Sequence, residues 1–310
     1  MSVQPGGAGV LVVDKGAGAT SFDAVALARR RLGLHRVGHA GTLDPAATGV
    51  LPILLGEATK LMSYLTDQEK EYAVTVRFGL TTDTHDVGGR VRAEAPVPRL
   101  ERAELEAACR PFVGRIGQVP PMYSAVHHGG RRLYELARRG IDVAREPRPV
   151  FVRSIAVEAV APPCATLRVV CGKGTYVRVL AADLGAALGC GAAVERLVRA
   201  RVGPFTLAAA VAWADLASGE REALWARVEP PEAALADWTA VTLDEPAATA
   251  FTHGQAVAAA PSLATEDRFV RVHDRTGALI GVGALAAAGR QVRPVRILHA
   301  DRPGTRVLPA

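Results

Sequence analysis

The 310-residue chain predicts an α+β protein, with a mixed, largely antiparallel sheet flanked by helices and a small β-rich domain behind it. Three observations carry that expectation. Strand-like and helix-like segments follow one another without the strict alternation of a doubly wound sheet. Tyr72, Val74, Val76 and Phe78 alternate with Ala73, Thr75 and Arg77, which is a strand with one apolar face. After Trp238 the texture changes to short β-like pieces over 241–257, 269–274 and 278–285, punctuated by Gly254, Gly277 and Gly281. The expected divisions are a flexible N-terminus over 1–9, a larger domain over 10–238 and a β-rich domain over 239–310.

The elements follow in order. Residues 9–14 read as a short buried strand. Ala19-Thr20-Ser21 supplies N-cap chemistry, and Phe22, Val25, Ala26, Arg29 and Leu32 follow at helical spacing until Gly33 stops the run. Residues 36–49 break every periodic pattern, with glycines at 38, 41 and 49 and a proline at 45, and read as an irregular loop. Residues 81–89 are turn-like, and 89–93 return as a strand. A helix is expected over 100–110, an irregular segment over 117–124, and a second helix over 132–139, ended by Gly140. Residues 150–160 and 165–171 read as paired strands joined through Pro162-Pro163. A helix over 176–188 and a strand over 197–202 complete the larger domain. No internal repeat is visible.

Composition excludes several classes. Hydrophobic residues make up 49% of the chain, enough for a sizeable core. The longest apolar runs, 10–13 and 50–55, are far too short to span a bilayer. Residues 1–9 lack the regions of a signal peptide, so the cytoplasm is the expected compartment. Cys109, Cys164, Cys171 and Cys190 form no C-x-x-C pair and read as inert thiols. His35 and His39 are four apart, but Gly38 lies between them and no Glu follows His35, which argues against a zinc helix. Asp83 opens a stretch resembling a calcium loop, but His85 and Val87 occupy ligand positions, so no metal is expected. The net charge of +6 and pI near 9.4 suit a polyanionic partner. Lysine occurs only at Lys15, Lys60, Lys70 and Lys173. A GC-rich genome accounts for the arginine bias, and arginine's bidentate grip on phosphate is compatible with it.

The informative segment is Gly38-His39-Ala40-Gly41-Thr42-Leu43-Asp44-Pro45-Ala46-Ala47-Thr48-Gly49-Val50-Leu51. Pro45 pushes Asp44 towards extended backbone, and the glycines let another chain approach closely. By itself, Asp-Pro in a loop is ordinary turn chemistry. The complete string resembles the catalytic loop of the TruB family of pseudouridine synthases. The resemblance continues through Leu11-Val12-Val13-Asp14-Lys15, Gly18-x-Thr20-Ser21, Gly56-Glu57-Ala58-Thr59-Lys60, Lys70-Glu71-Tyr72, Phe78-Gly79 and Thr81-Thr82-Asp83-Thr84-x-Asp86. Further on come Gln118-x-Pro120-Pro121-x-Tyr123-Ser124-Ala125 and Gly172-Lys173-Gly174-Thr175-Tyr176-Val177-Arg178. These motifs span roughly residues 10–200, and the tail from about 239 is similar to the PUA domains that family members carry. The sequence departs from the family in two places: Gly16 stands where proline is usual, and His127-His128 in the segment where a lysine is usual.

The resemblance implies isomerisation of the T-loop uridine of tRNA, position 55 in tRNA numbering, to pseudouridine. No redox step or group donor is involved, so no cofactor is expected. Asp44 matches the family's catalytic carboxylate and Arg178 its guanidinium partner. Tyr72 matches the tyrosine that stacks on the target base and assists removal of the C5 proton. Tyr176, Leu197 and Asp86 match residues of the same pocket. His39 matches the residue that fills the space left by flipped-out nucleotides; flipping itself costs a few kcal/mol. Lys15, Arg29, Arg30, Arg31, Arg131 and Arg132 are candidate phosphate contacts that position RNA without reading sequence. For Arg29–Arg31, the dipole at a helix C-terminus explains the charges equally well. A monomer with no protein partner is expected.

Three rival readings fare worse. A non-catalytic RNA-binding protein would have no need of Asp44, Tyr72 and Arg178 together. A P-loop over Gly172-Lys173-Gly174-Thr175 fails because Gly, not Ser or Thr, follows the lysine. A glycoside hydrolase needs two opposed carboxylates, whereas Asp44 is matched with Arg178.

Overall fold

The computed structural model describes residues 7–259, 268–286 and 289–299. Of the expected flexible N-terminus, residues 1–6 lie outside the described residues, as do 300–310 of the tail.

Strand β1 (Gly9–Lys15) leads into α1 (Ser21–Leu32). Thr20 and Asp23 form a reciprocal capping box, and Gly33 ends the helix in the left-handed region at φ 70°. Such a cap stabilises by about 1 kcal/mol. The stretch expected to be irregular is partly a hairpin: β2 (Val37–His39) pairs antiparallel with β3 (Thr48–Leu55). β3 is buried along nearly its whole length, so it shows no alternation by which a strand is recognised. Helix α2 (Met62–Asp67), β4 (Lys70–Phe78) and the hairpin of β5 (Leu80–Thr82) with β6 (Val91–Glu94) follow, then α3 (Arg102–Cys109). Strand β7 (Gly114–Gln118) overlaps the expected irregular segment; its glycines at 114 and 117 concealed it. A short hairpin of β8 (His127–His128) and β9 (Arg131–Arg132) precedes α4 (Leu133–Ala137). The expected strand pair is β10 (Arg148–Ala161) and β11 (Cys164–Cys171), followed by α5 (Val177–Ala187) and β12 (Ala192–Val202). Then come β13 (Phe205–Thr206), β14 (Val211–Ala212), α6 (Trp213–Ser218) and α7 (Arg221–Trp225).

The tail contains β15 (Ala240–Thr242), α8 (Glu245–Thr252), β16 (Val257–Ala258), β17 (Phe269–His273), β18 (Leu279–Ala286) and β19 (Gln291–Ile297). Helix α8 corrects the all-β expectation over 241–257. Asp244 caps it by accepting from the Ala247 amide at 2.9 Å, Pro246 sits in its first turn, and its alanines favour helix.

The chain divides into two compact units, one of Met1–Asp44, Val50–Thr66 and Gly203–Ala310, the other of Pro45–Gly49 and Asp67–Val202. In the first, strands run β14-β1-β3, with β14 parallel to β1. The tail adds a separate sheet in the order β15-β17-β18-β19-β16, whose core gathers Val241, Phe251, Val270, Val272 and Val292. Two devices tie this sheet to its unit. Tyr64, Trp238 and Phe269 pack ring on ring at 5.2–5.9 Å. Lys60 donates to the Ile297 carbonyl at 2.8 Å while Glu57 accepts from the His299 amide at 3.1 Å.

In the second unit β12-β4-β11-β10-β7 are antiparallel throughout, while Thr48 and Gly49 run parallel to Val198 and Arg199. Val177, Leu180, Ala181 and Leu184 of α5 share an apolar cavity with Val74 and Val76 of β4 and with Leu167 and Val169 of β11. The fold is α+β with a mixed, mostly antiparallel sheet and a β-rich PUA-like C-terminal domain, as expected.

Candidate active site

The sequence-predicted site residues fall in both units. Asp44 and His39 belong to the first; Tyr72, Asp86, Tyr176, Arg178 and Leu197 belong to the second.

In the first unit the loop before Asp44 is held at several points. His39 lies opposite Ile53 across the β2–β3 pair, and the Ala40 amide donates to the Pro52 carbonyl at 3.0 Å. The Leu43 amide donates to Ser21 Oγ at 2.8 Å, and that hydroxyl donates back to the Leu43 carbonyl at 3.3 Å. Ser21 is 2% and Leu43 3% exposed. The residue before Asp44 is thus clamped to the first residue of α1. Gly38 packs under Met62, whose terminal methyl would have to shift to admit a Cβ there. Asp44 itself is half-buried.

In the second unit Arg178 is a buried, firmly held side chain. It is 5% exposed near the start of α5; Nη1 donates to the Thr84 carbonyl at 2.7 Å and Nη2 to the Tyr123 carbonyl at 3.1 Å. Asp86 supports that arrangement from within its own loop. Its carboxylate accepts from Thr84 Oγ1 at 2.9 Å and from the Gly88 amide at 3.1 Å, and its carbonyl accepts from Thr82 Oγ1 at 2.7 Å. The loop is anchored to β12 where the Val194 amide donates to the His85 carbonyl and the Val87 amide to the Val194 carbonyl, both at 2.9 Å. Tyr176 caps α5, its backbone locked to the Gln118 side chain by reciprocal bonds of 2.8 and 3.1 Å.

Tyr72 and Leu197 share one face of the sheet. Val74 pairs with Leu197 and Tyr72 with Arg199 across β4 and β12, and directly opposed residues of an antiparallel pair point the same way. Leu197 is 8% exposed and Tyr72 half-buried.

Three residues here were not singled out by sequence reasoning. Arg199 is 1% exposed, opposite Tyr72. Its signal was its place two residues beyond Leu197 on the same strand face. Lys70, two residues before Tyr72, is 6% exposed. Burial, with Arg199 nearby, pushes its ammonium down to about 8. His85 is the one non-glycine with positive φ (62°) among the described residues; burial first, then Arg178 and Arg145, hold its imidazole below the usual range. No periodic pattern marks such a residue.

The expected phosphate contacts divide. Arg131 and Arg132 are exposed on the β8–β9 hairpin, and Arg30 is exposed on α1. Lys15 corrects the expectation: it is 0% exposed and donates to the Gly16 and Ala19 carbonyls at 2.8 Å, so it braces the turn before α1. Arg31 is likewise engaged. Its guanidinium donates to the Gly219 carbonyl, and its own carbonyl accepts from Arg221 at 3.2 Å. Arg29 is half-buried. Among the described residues no group of His, Cys, Asp and Glu could hold a metal, and no helix is long and apolar enough to cross a membrane.

Comparison with known proteins places these features in one family. Residues 29–177 match the family "TruB family pseudouridylate synthase (N terminal domain)". Residues 178–236 match "tRNA pseudouridylate synthase B C-terminal domain", and 239–298 match "Pseudouridine synthase II TruB, C-terminal". The tRNA pseudouridine synthase B of Pseudomonas aeruginosa (strain UCBPP-PA14) is 44% identical over 295 residues, 94% of this chain and 96% of that protein. That of Symbiobacterium thermophilum is 49% identical over 253 residues, 81% and 83% of the two chains. Among solved structures, a chain of the crystal structure of a Cbf5-Nop10-Gar1 complex superposes with TM-score 0.73 at 27% identity, covering 94% of this chain and 85% of that one. A chain of an H/ACA RNP bound to a substrate RNA containing 2'-deoxyuridine gives TM-score 0.71 at 26% identity, with the same coverage. The chain belongs to the TruB family of pseudouridylate synthases.

Proposed function

We propose that this enzyme converts the T-loop uridine of tRNA, position 55, to pseudouridine, with Asp44 as the catalytic carboxylate. The N1–C1′ bond breaks, the uracil turns in the pocket, and C5 bonds to C1′. The C5 proton then leaves, and N1 takes up a proton. Substrate and product are isomers, so the reaction needs no donor and no cofactor. It needs a fixed carboxylate, a fixed countercharge, and a closed site that keeps the detached base from escaping.

The observation that carries the reading is the burial of Arg178 on two backbone carbonyls. A guanidinium stays charged when buried and holds a planar fork, so one fixed this way suits the countercharge role for Asp44. Tyr72 stacks on the flipped base and assists loss of the C5 proton; Leu197 and Tyr176 line the pocket, and Asp86 stiffens the loop beside it. His39 fills the space the nucleotide vacates. Arg29, Arg30, Arg131 and Arg132 contact phosphates, and residues 239–310 act as an RNA-binding domain after a catalytic domain over 10–238. The enzyme works as a cytoplasmic monomer.

Release of tritium from C5-labelled tRNA tests the reaction. Stoichiometric release by the wild type, with none from Asp44→Asn at retained tRNA binding, is expected. Binding without release by the wild type would make the chain an RNA-binding protein instead.

A further inference from the structure

Helix α1 begins with an aromatic side chain that the fold leaves in solvent. Phe22 falls in the apolar pattern with Val25 and Leu32, and those two are buried, yet Phe22 is 66% exposed. The other exposed large apolar side chains among the described residues range from 36% to 51%. Neither burial nor helix propensity accounts for Phe22, since phenylalanine is a poorer helix former than alanine or glutamate. Scattered exposed apolar side chains are ordinary, but this one is set apart by where it stands.

Ser21, the residue before it, exchanges hydrogen bonds with the backbone of Leu43, the residue before Asp44. Phe22 and Asp44 are each one residue from the same clamp, which holds their Cα atoms within about 14 Å of one another. Ala26 and Arg30 follow Phe22 at i+4 and i+8 and are also exposed, while Ala24, Val25, Ala28 and Leu32 turn the opposite side of α1 inward. Arg30 lies about 12 Å along the helix from Phe22. The acidic neighbour Asp23 is engaged in the cap, its carboxylate accepting from the Thr20 amide and hydroxyl at 2.7 Å each. One helix face therefore presents a ring beside the Asp44 loop, then a small residue, then an exposed guanidinium.

A single ring rimmed by polar residues is far too small for a protein partner, which needs about 800 Å² of surface on each side. It matches the face of one nucleobase. Unpaired bases stack on exposed aromatic side chains, and guanidinium groups take up the phosphates beside them. Flipping a uridine out of its loop also leaves a neighbouring base without a stacking partner.

We propose that Phe22 is a stacking platform for an unpaired base of the substrate RNA next to the flipped uridine, with Arg30 on a nearby phosphate. The platform rests on the reading of the chain as an isomerase of a tRNA loop uridine. It replaces the stacking that flipping removes, and so favours the flipped state. It accepts any base, because every base has a π-face.

The test uses the full chain and a synthetic T-stem-loop RNA, intact or with one abasic nucleotide at each loop position in turn. Affinity is read by fluorescence anisotropy and turnover by base-resolved pseudouridine detection. Phe22→Ala is expected to weaken binding of the intact RNA roughly tenfold, and Phe22→Tyr to restore it. An abasic nucleotide at one position beside the target is expected to cost wild type a similar factor of roughly ten, and to cost Phe22→Ala nothing further. Equal abasic penalties in wild type and Phe22→Ala at every position would overturn the platform. So would full restoration by Phe22→Leu, which supplies apolar bulk without a π-face. Sedimentation of the RNA-free chain that changes with Phe22→Ala would assign the ring to a second copy instead. Failure of the underlying reading looks different, because wild type would then bind the RNA and leave every uridine unchanged. Pseudouridine formed by wild type alongside equal abasic penalties removes the platform alone.

Discussion

Arg178 Nη1 donates to the carbonyl oxygen of Thr84 at 2.7 Å. The contact spans 94 positions of sequence and fixes a guanidinium against backbone that cannot retreat, because Val194 and Asp86 both hold the Thr84 loop. The charge is therefore placed before any substrate arrives, the arrangement in which electrostatic stabilisation costs no reorganisation.

Lysine cannot reproduce that fork. Arg178→Lys is expected to lower the single-turnover rate by about a hundredfold, equivalent to roughly 3 kcal/mol, while tRNA affinity changes little. Rapid-quench kinetics with excess enzyme separates the two effects. A change confined to affinity would make Arg178 a substrate-positioning group.

Gly49 reports how tightly the second unit is built. It has φ 106°, and a Cβ there would lie 2.2 Å from the Arg199 carbonyl oxygen, in backbone that pairs with it. Gly49→Ala is expected to destabilise by about 2–4 kcal/mol through strain and clash together. Urea denaturation followed by circular dichroism measures this, and a midpoint equal to wild type would show that the strands part easily.

Lys70 gives stability a pH signature. Its ammonium is pushed from 10.5 down to about 8, by burial first and then by Arg199. Below pH 8 both folded and unfolded chains carry the proton, and the folded state bears the full burial penalty. Between 8 and 10.5 the unfolded chain binds more protons, so stability rises with pH. Relative to Lys70→Met, wild type is expected to gain on the order of 3 kcal/mol across that window. Paired melts at each pH cancel the titration of other groups. A constant gap would mean that Lys70 titrates normally.

Much of this was legible in the sequence, for physical reasons that differ by element. The capping box of Thr20 with Asp23 and the alternation from Tyr72 to Phe78 are local signals, and both elements stand where they were read. β3 was missed because a strand buried on both faces has no alternation. Helix α8 was read as β although Asp244 and Pro246 announce its start, because its glycine-punctuated neighbours set the texture of the region. In the site, the loop ending at Asp44 was legible from its string. Its clamp to Ser21 was not, because that bond joins positions 22 apart. Lys15 was read as a candidate phosphate contact from its charge, and only the fold shows its ammonium turned onto the Gly16 and Ala19 carbonyls.

The central claim is that Asp44 drives isomerisation of one uridine. Base-resolved mapping of pseudouridine in an unmodified tRNA transcript, after incubation with wild type or Asp44→Asn, tests it most directly. The account predicts pseudouridine at the T-loop uridine with wild type and none with the variant, which still binds the transcript. Pseudouridine formed by Asp44→Asn at the wild-type rate would contradict it.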